Sequence, residues 1–323
     1  MEPENPVSQG GPGEPVISSP IPPKTNLFVG EHGLRSGWRL LIYLLMVIAA
    51  AAAIAITVRH FWRPPRGVPG PGVSALQEAI SFALVFGAAW VMSRIERRSV
   101  GEYGLPLSDA FGWKFWLGFL FGLVEISVLI GLIAAFGGYS FGSLALQGSE
   151  IVKWGLIHLV LFIFVGFFEE FLFRGYVQYT LADGIGFWPA GIILSVVFGA
   201  LHLGNPGEGW VGAASVVLVG LFFVFTLRRT GNLWYAVGLH ASFDWGETFL
   251  YSVPNSGTVM EGHLSHAALP LTPKWLTGGT VGPEGSVFCF LTMGLQFLVV
   301  MWLFPKKDPE REVDTASPAQ TVA

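Results

Sequence analysis

Eight apolar segments constrain what this chain can fold into, because each is about as long as a bilayer is thick. A helix needs roughly 17–25 apolar residues to cross the hydrocarbon core. The predicted spans are Leu40–Val58, Leu76–Ser93, Lys114–Phe136, Lys153–Ala182, Phe187–Leu203, Trp210–Leu227, Leu233–Val253 and Val287–Phe304. Charged residues make up only 12% of the chain, about half of the share that is usual in soluble proteins. We therefore expect an all-α polytopic membrane protein, a bundle of about eight transmembrane helices.

The composition between the spans divides the chain into six parts. In chain order these are a disordered Pro/Gly-rich tail (1–25), N-terminal transmembrane helices (26–150), a helical core (151–253), an extramembrane loop (254–286), the last transmembrane helix (287–305) and a polar tail (306–323). The loop is rich in glycine and proline and holds His263 and His266. We expect it to be a loosely ordered outer loop, with a lid over a site as the alternative. No basic stretch precedes an apolar core near Met1, so no cleaved signal peptide is expected.

The placement of lysine and arginine predicts the orientation in the membrane. If the spans alternate, thirteen of the eighteen basic residues fall on one side, which is the pattern of a cytoplasmic face. The five on the other side are Arg59, Arg63, Arg66, Lys153 and Lys274. We expect both termini in the cytoplasm, in a multi-pass protein of a bacterial plasma membrane. The net charge of -4 gives no indication of nucleic-acid binding, so the expected surroundings are membrane lipids.

Three fragments place acids and histidines inside or at the edge of apolar segments. They are Glu169-Glu170-Phe-Leu-Phe-Arg174, Phe198-Gly-Ala-Leu-His202 and His240-Ala-Ser-Phe-Asp244. An ionisable side chain at membrane depth costs several kcal/mol and is interpreted as functional by default. The single cysteine, Cys289, excludes a disulfide framework and a cysteine metal site. Soluble-type zinc, phosphate-loop and serine-nucleophile motifs are absent from the sequence.

Residue counting places these fragments at similar depth. If Asp183–Gly186 is the turn of a helical hairpin, Glu169 and His202 both lie about 20 Å from it at 1.5 Å per residue. His240 lies about 16 Å from the inner face by the same rise. The three groups are therefore predicted to converge on a polar cavity at membrane depth.

Helical spacing separates the faces of these residues. Glu170 and Arg174 are four apart and can neutralise each other as a structural clamp. Glu169 points about 100° away and is free to face the bundle interior. His240 and Asp244 are also four apart, so Asp244 can accept a hydrogen bond from the histidine ring or orient water.

The chemistry of this set leaves alternatives open. A carboxylate in low dielectric can act as a general base, while neutral histidines can bind a divalent metal, orient water or stabilise an oxyanion. Buried acids and histidines also form relays in ion-coupled transporters, although no internal repeat is evident. A non-catalytic immunity or scaffold protein is a third hypothesis. We expect structural roles for His158 and Glu125, and Glu247 stays undecided between site and structure.

The order and spacing of these motifs resemble a known family. The series E-E-x-x-x-R, F-x-x-x-H and H-x-x-x-N/D runs over about Val165–Leu250, and the segment Arg97–Pro106 (RRSVGEYGLP) is similar to a family segment between early helices. The family is the CAAX prenyl protease and bacteriocin-processing (CPBP, or Abi) family of intramembrane proteases. The resemblance implies a membrane-embedded endopeptidase whose substrate is a peptide or protein, either prenylated or otherwise associated with the membrane.

The resemblance also implies roles for single residues. Glu169 matches the glutamate that activates water, Glu170 and Arg174 match the second acid and the arginine, and His202 and His240 match the two site histidines. Asp244 stands where the family often has Asn, which can donate a hydrogen bond as well as accept one. The family is commonly described as metalloproteases. The donors Glu169, His202 and His240 suit a divalent metal such as zinc and equally a metal-free glutamate–water mechanism.

Overall fold

The structure is a computed structural model that describes residues 26–30, 33–61 and 67–306. Its helices are α1 (Ser36–Phe61), α2 (Pro71–Glu96), α3 (Trp113–Ala135), α4 (Ser149–Arg174), α5 (Tyr176–Ile185), α6 (Phe187–His202), α7 (Trp210–Thr230), α8 (Trp234–Trp245), α9 (Lys274–Thr277) and α10 (Val287–Leu303). A π-helical turn, Gly246–Leu250, continues α8. Two antiparallel strands of two residues each, β1 (Val29–Gly30) and β2 (Gly33–Leu34), precede α1. The predicted tail 1–25, residues 307–323 of the second tail, and Arg63 and Arg66 lie outside the described residues.

Within the described residues the fold is all-α, with five helical stretches long and apolar enough to cross a membrane. They are Ser36–Phe61, Pro71–Glu96, Trp113–Ala135, Ser149–Ile185 and Trp210–Thr230. Two of the eight predicted spans are shorter apolar helices, α6 and α10. The predicted span Leu233–Val253 consists of the 12-residue α8 and its π-helical turn. The prediction of about eight full spans is corrected accordingly to five long spans with shorter apolar helices, in a multi-pass integral membrane protein.

The predicted span Lys153–Ala182 is broken at Gly175. This residue leaves the helical region with φ -85° and ψ -126°, and α5 starts after it. A methyl group on Gly175 would overlap the carbonyl oxygen of Phe171, so the bend requires a residue without Cβ. The depth of Glu169 therefore cannot be counted along one straight helix to the turn at Gly186. The turn itself lies where it was predicted, since α5 ends at Ile185 and α6 starts at Phe187.

Glycines bring α8 into direct backbone contact with α3. A methyl group on Gly118 or Gly122 of α3 would overlap the carbonyl oxygens of Tyr235 and Leu239, respectively. In the opposite direction, a methyl group on Gly238 would overlap the carbonyl oxygen of Phe115. Small residues allow this close approach in membranes, where lipid supplies no hydrophobic drive for helix association. The contact fixes the height and rotation of α8 in the bundle.

Ion pairs join helix ends that the alternation of spans places on one side. Arg39 at the start of α1 binds Glu96 at the end of α2 at 2.7 Å and Asp183 near the end of α5 at 2.8 Å. Lys114 at the start of α3 donates to the carbonyl oxygen of Thr230 at the end of α7. These helix ends therefore lie on one side of the bundle, as the predicted alternation of spans requires. Which side faces the cytoplasm stays a prediction.

The connection 254–286 packs against the bundle instead of standing apart from it. Isolated antiparallel bridges join Ser140 to Ala268 and Leu144 to Ser265. The start of the connection is fixed by Ser256, whose backbone N–H and hydroxyl donate to Glu284 near its end. These contacts do not fit the expected loosely ordered loop and favour the alternative of a cover over the bundle.

Replacing Gly122 should test the close packing of α3 on α8. In Gly122→Ala the new methyl meets backbone and the Ser242 hydroxyl, so we expect a loss of about 1–3 kcal/mol in unfolding free energy. Gly131→Ala is the matched control, because the space around Gly131 on the same helix is open. Thermal unfolding in detergent, followed by circular dichroism, should show a lower midpoint for Gly122→Ala alone. Equal midpoints would contradict the proposed contact.

Candidate active site

A cavity of about 810 Å³ lies between the helices, and residues from all three predicted fragments line it. Its polar lining includes Glu78, Glu125, Glu169, His202, Asn205, His240, Asp244, Asn255, Ser256 and Glu284. Its apolar lining comes mainly from aromatic and aliphatic side chains of α4, α6, α7 and α8. A cavity with the predicted polar residues in its wall is therefore present between the helices, while its depth in the membrane stays a prediction.

His240 is the centre of the polar network. Its Nδ1 lies 3.0 Å from Oε1 of Glu170, within hydrogen-bond distance. Its Nε2 lies 3.7 Å from Oε2 of Glu169 and 3.5 Å from Oδ2 of Asp244, which are longer polar contacts. Because a carboxylate only accepts, the ring donates Nδ1–H to Glu170 and presents Nε2 toward the cavity.

Glu170 and Arg174 form the predicted pair, and both side chains are fully buried. The Arg174 Nη1 donates to the same Glu170 Oε1 that accepts from His240. The guanidinium carbon lies 4.5 Å above the ring of Phe198, and the ring of Phe223 stacks on His240 at 5.3 Å. The pair is thus more than the predicted clamp, because it also sets the orientation of the His240 ring.

Glu169 faces a different environment from its neighbour. Its side chain is 25% exposed and lines the cavity, whereas the side chain of Glu170 is 0% exposed. The rotation of about 100° between successive helical residues explains this separation. Glu169 therefore has the access to water that a general base needs.

His202 reaches the same cavity from the end of α6. Its Nδ1 lies 2.8 Å from the carbonyl oxygen of Phe198, which can only accept, so Nδ1 carries the proton. The Nε2 of the neutral ring then holds a lone pair that can accept a hydrogen bond from water. The cavity thus combines a carboxylate and two imidazoles, each imidazole fixed through its Nδ1.

Asp244 lies near the His240 ring, as its helical spacing predicted, but Glu170 makes the shorter contact, and an orienting role for Asp244 stays a prediction. His240 donates its short hydrogen bond from Nδ1 to Glu170 at 3.0 Å, while Asp244 lies 3.5 Å from the other ring nitrogen. The i, i+4 spacing allowed the contact, but the ring turns toward the buried carboxylate on α4. Asp244 is left facing the cavity and the loop side.

The predicted zinc ligands are not gathered into a zinc-like arrangement. Ligands of a tetrahedral zinc lie about 3.4 Å from one another. Among the described residues, the group with three donor atoms mutually within 4.8 Å is Asp244, Glu247 and Glu284, not Glu169, His202 and His240. The three carboxylates could hold a metal ion. Glu247, whose role the sequence left undecided, is therefore a possible metal ligand.

Glu284 was missed in the sequence because it lies in the loop, outside every apolar segment. It stands in a short 3₁₀ turn, Pro283–Gly285, beside the cavity. Burial, followed by the negative charge of Asp244, raises the pKa of Glu284 to about 8. Without a cation nearby, Glu284 is therefore expected to be mostly protonated at neutral pH. The cavity position of Glu78 was also missed, and its place inside the apolar segment Leu76–Ser93 was the available signal.

Glu125 and His158 had been assigned structural roles. Glu125 is buried and lines the cavity, and among the described residues neither of its carboxylate oxygens has a hydrogen-bond partner. His158 is buried with its Nδ1 2.9 Å from the carbonyl oxygen of Trp154, away from the cavity lining. The structural interpretation fits His158, whereas Glu125 has a position from which it can contact a bound molecule.

Removing the buried Arg174 should destabilise the protein much more than removing an exposed lysine. Arg174→Ala leaves the Glu170 charge buried without its cation, so we expect a loss of about 3–5 kcal/mol in unfolding free energy. Lys153→Ala breaks the exposed pair with Glu150 on the same helix and should cost at most about 1 kcal/mol. Thermal unfolding in detergent measures both, and similar losses would contradict the central role of Arg174.

Comparison with known proteins bears on the same part of the chain. Residues 151–246 match a family model described as type II CAAX prenyl endopeptidase Rce1-like. Neither a curated protein nor a solved structure matches the chain. The matched segment runs from α4 to the end of α8 and includes every predicted site residue. The resemblance drawn from the sequence is confirmed for this segment: residues 151–246 are similar to the Rce1-like type II CAAX prenyl endopeptidases of the CPBP/Abi family.

Proposed function

We propose that this protein is an intramembrane endopeptidase that hydrolyses a peptide bond of a membrane-associated substrate with a water activated by Glu169. Family membership of residues 151–246 suggests an intramembrane protease. The observation that carries the proposal is the pairing of a partly exposed Glu169 with a fixed His240, 3.7 Å apart at the cavity wall.

Glu169 is the proposed base. Its carboxylate takes a proton from water as the water oxygen attacks the scissile carbonyl carbon. His202 supports this water, since its Nε2 lone pair can accept the second water hydrogen. The proton held by Glu169 then passes to the leaving amine when the C–N bond breaks.

His240 is the proposed stabiliser of the oxyanion. A doubly protonated ring donates Nδ1–H to Glu170 and Nε2–H to the developing negative charge on the substrate oxygen. Glu170 and Arg174 are positioning residues, because they act through the His240 ring and do not line the cavity. Asp244 lies 3.5 Å from the same ring nitrogen, so it faces the proton that the substrate oxygen would accept.

The apolar part of the cavity supports a substrate that comes from the membrane. Phe162, Phe168 and Phe173 of α4 line it together with Leu161 and Leu172. Burial of apolar surface at about 25 cal/mol per Å² favours a hydrophobic peptide or a lipid chain attached to one. A prenylated peptide is one such substrate, and the proposal extends to other membrane-associated peptides.

Replacing the base should abolish cleavage. We expect Glu169→Gln to reduce cleavage of a fluorogenic peptide library by roughly 10²–10⁴-fold, because the amide cannot take the proton from water. Glu150→Gln is the matched control, since Glu150 is an exposed carboxylate at the start of the same helix. The assay uses the full chain in proteoliposomes. Unchanged cleavage by Glu169→Gln would overturn the mechanism.

Replacing His202 should also abolish cleavage without unfolding the protein. We expect His202→Ala to lose about 10²-fold or more in kcat/KM, since the water loses its acceptor. His263→Ala is the control, because His263 makes a similar ring contact to the carbonyl oxygen of Met260 but does not line the cavity. If the protein's cellular phenotype persists in both His202→Ala and Glu169→Gln, the non-catalytic immunity or scaffold hypothesis replaces this one.

A further inference from the structure

We propose that Asp244, Glu247 and Glu284 bind one hard divalent cation, of the Ca²⁺ or Mn²⁺ type, at a site separate from the Glu169 water site. The site connects α8 to the connection 254–286. The inference stands on the geometry of these three residues and does not depend on peptide hydrolysis.

The first argument is the distance between donor atoms. One carboxylate oxygen from each of the three residues lies within 4.8 Å of the other two. Ca²⁺ binds oxygen at 2.3–2.6 Å, so two ligands of one ion lie at most about 5 Å apart. The three carboxylates can therefore share a single ion of this size without a rearrangement of the backbone.

The second argument is the state of the Glu247 side chain. Glu247 is 0% exposed, and in the part of the chain that the structure describes neither of its carboxylate oxygens has a hydrogen-bond partner. A buried carboxylate is poorly solvated when its polar neighbours, here including the Asn255 amide, do not reach hydrogen-bond geometry. Glu284, in contrast, accepts hydrogen bonds from the N–H and hydroxyl of Ser256. The unsatisfied Glu247 oxygens point to a positively charged ligand.

The chemistry of the donors selects the kind of ion. The three residues offer only carboxylate oxygens, and the amide of Asn255 lies beside Asp244 and Glu247. Oxygen donors suit Ca²⁺, Mg²⁺ and Mn²⁺, whereas zinc in proteins prefers histidine and cysteine. The site therefore differs from a zinc centre on Glu169, His202 and His240 in both ligands and metal preference.

Binding would join two parts of the chain that meet at the cavity. Asp244 lies at the end of α8, Glu247 lies in the π-helical turn that continues it, and Glu284 comes from the far end of the loop. Gly282 permits this approach, because a Cβ there would overlap the carbonyl oxygen of Pro254 and lie 3.3 Å from Glu247 Oε1. A carboxylate has two oxygens, so Asp244 can hold the ion with one and face His240 with the other. The ion would thus fix the loop over the cavity and the orientation of Asp244.

Cation titration of the full chain in detergent tests the proposal without any substrate. We expect isothermal titration with CaCl₂ or MnCl₂ to show one saturable site in the wild type. Glu247→Gln and Glu284→Gln should weaken binding at least about tenfold, because each removes one charged ligand. Glu150→Gln, an exposed carboxylate on α4, should bind as the wild type does.

A second readout follows the loop. Hydrogen exchange of residues 254–286 should slow when Ca²⁺ is added to the wild type and should not change in Glu284→Gln. If Glu284→Gln fails to fold, the wild-type titration and exchange results still decide. Absence of a saturable site at millimolar Ca²⁺, Mn²⁺ and Mg²⁺ overturns the proposal, and so does binding that Glu247→Gln leaves intact.

The variant Glu169→Gln separates this inference from the proposed function. If the ion sits at the acidic cluster, Glu169→Gln binds Ca²⁺ or Mn²⁺ normally while it loses cleavage. Loss of cation binding in Glu169→Gln would place the ion at the water site and overturn the inference. Normal binding together with unchanged cleavage would instead overturn the mechanism and leave the cation site intact.

Discussion

A single buried oxygen atom, Oε1 of Glu170, organises the rest of the site. It accepts from Arg174 on its own helix and from His240 on α8, so one carboxylate connects two helices. Neither the Glu170 carboxylate nor the Arg174 guanidinium could be buried in the bundle alone without a large desolvation cost. Together they form a polar centre enclosed by the rings of Phe198 and Phe223. The position of His240 therefore depends on a neutralised pair and not on contact with water.

The packing of helices gives this contact its precision. Backbone contact between α3 and α8 leaves α8 little freedom to shift or rotate. Space for the guanidinium is made in the same way, since a methyl group on Gly220 of α7 would lie 2.8 Å from Arg174 Nη2. Small residues thus make room both for a neighbouring backbone and for the Arg174 guanidinium. The positions of His240 and Arg174 depend on this room.

Much of the site could be predicted from sequence because ionisable residues are rare in apolar segments. The fragments around Glu169, His202 and His240 were recognisable for this reason, and the structure brings them to one cavity. The hydrogen-bond partner of His240 could not be predicted, since spacing along a helix favoured Asp244 and only tertiary packing supplies Glu170. Glu284 gave no signal, because an acid in a polar loop is unremarkable until the loop is placed against the bundle.

Glu169 and Glu170 show how one peptide step can separate two functions. Both are glutamates on α4, yet one is 25% exposed at the cavity and the other is 0% exposed between Arg174 and His240. The fully buried carboxylate has no access to water, whereas its neighbour at the cavity has. Exchange of their surroundings would require a rotation of α4 by about 100°. Such a rotation would carry Arg174 out of its aromatic cage, so the pairing that fixes His240 also keeps Glu169 directed at the cavity.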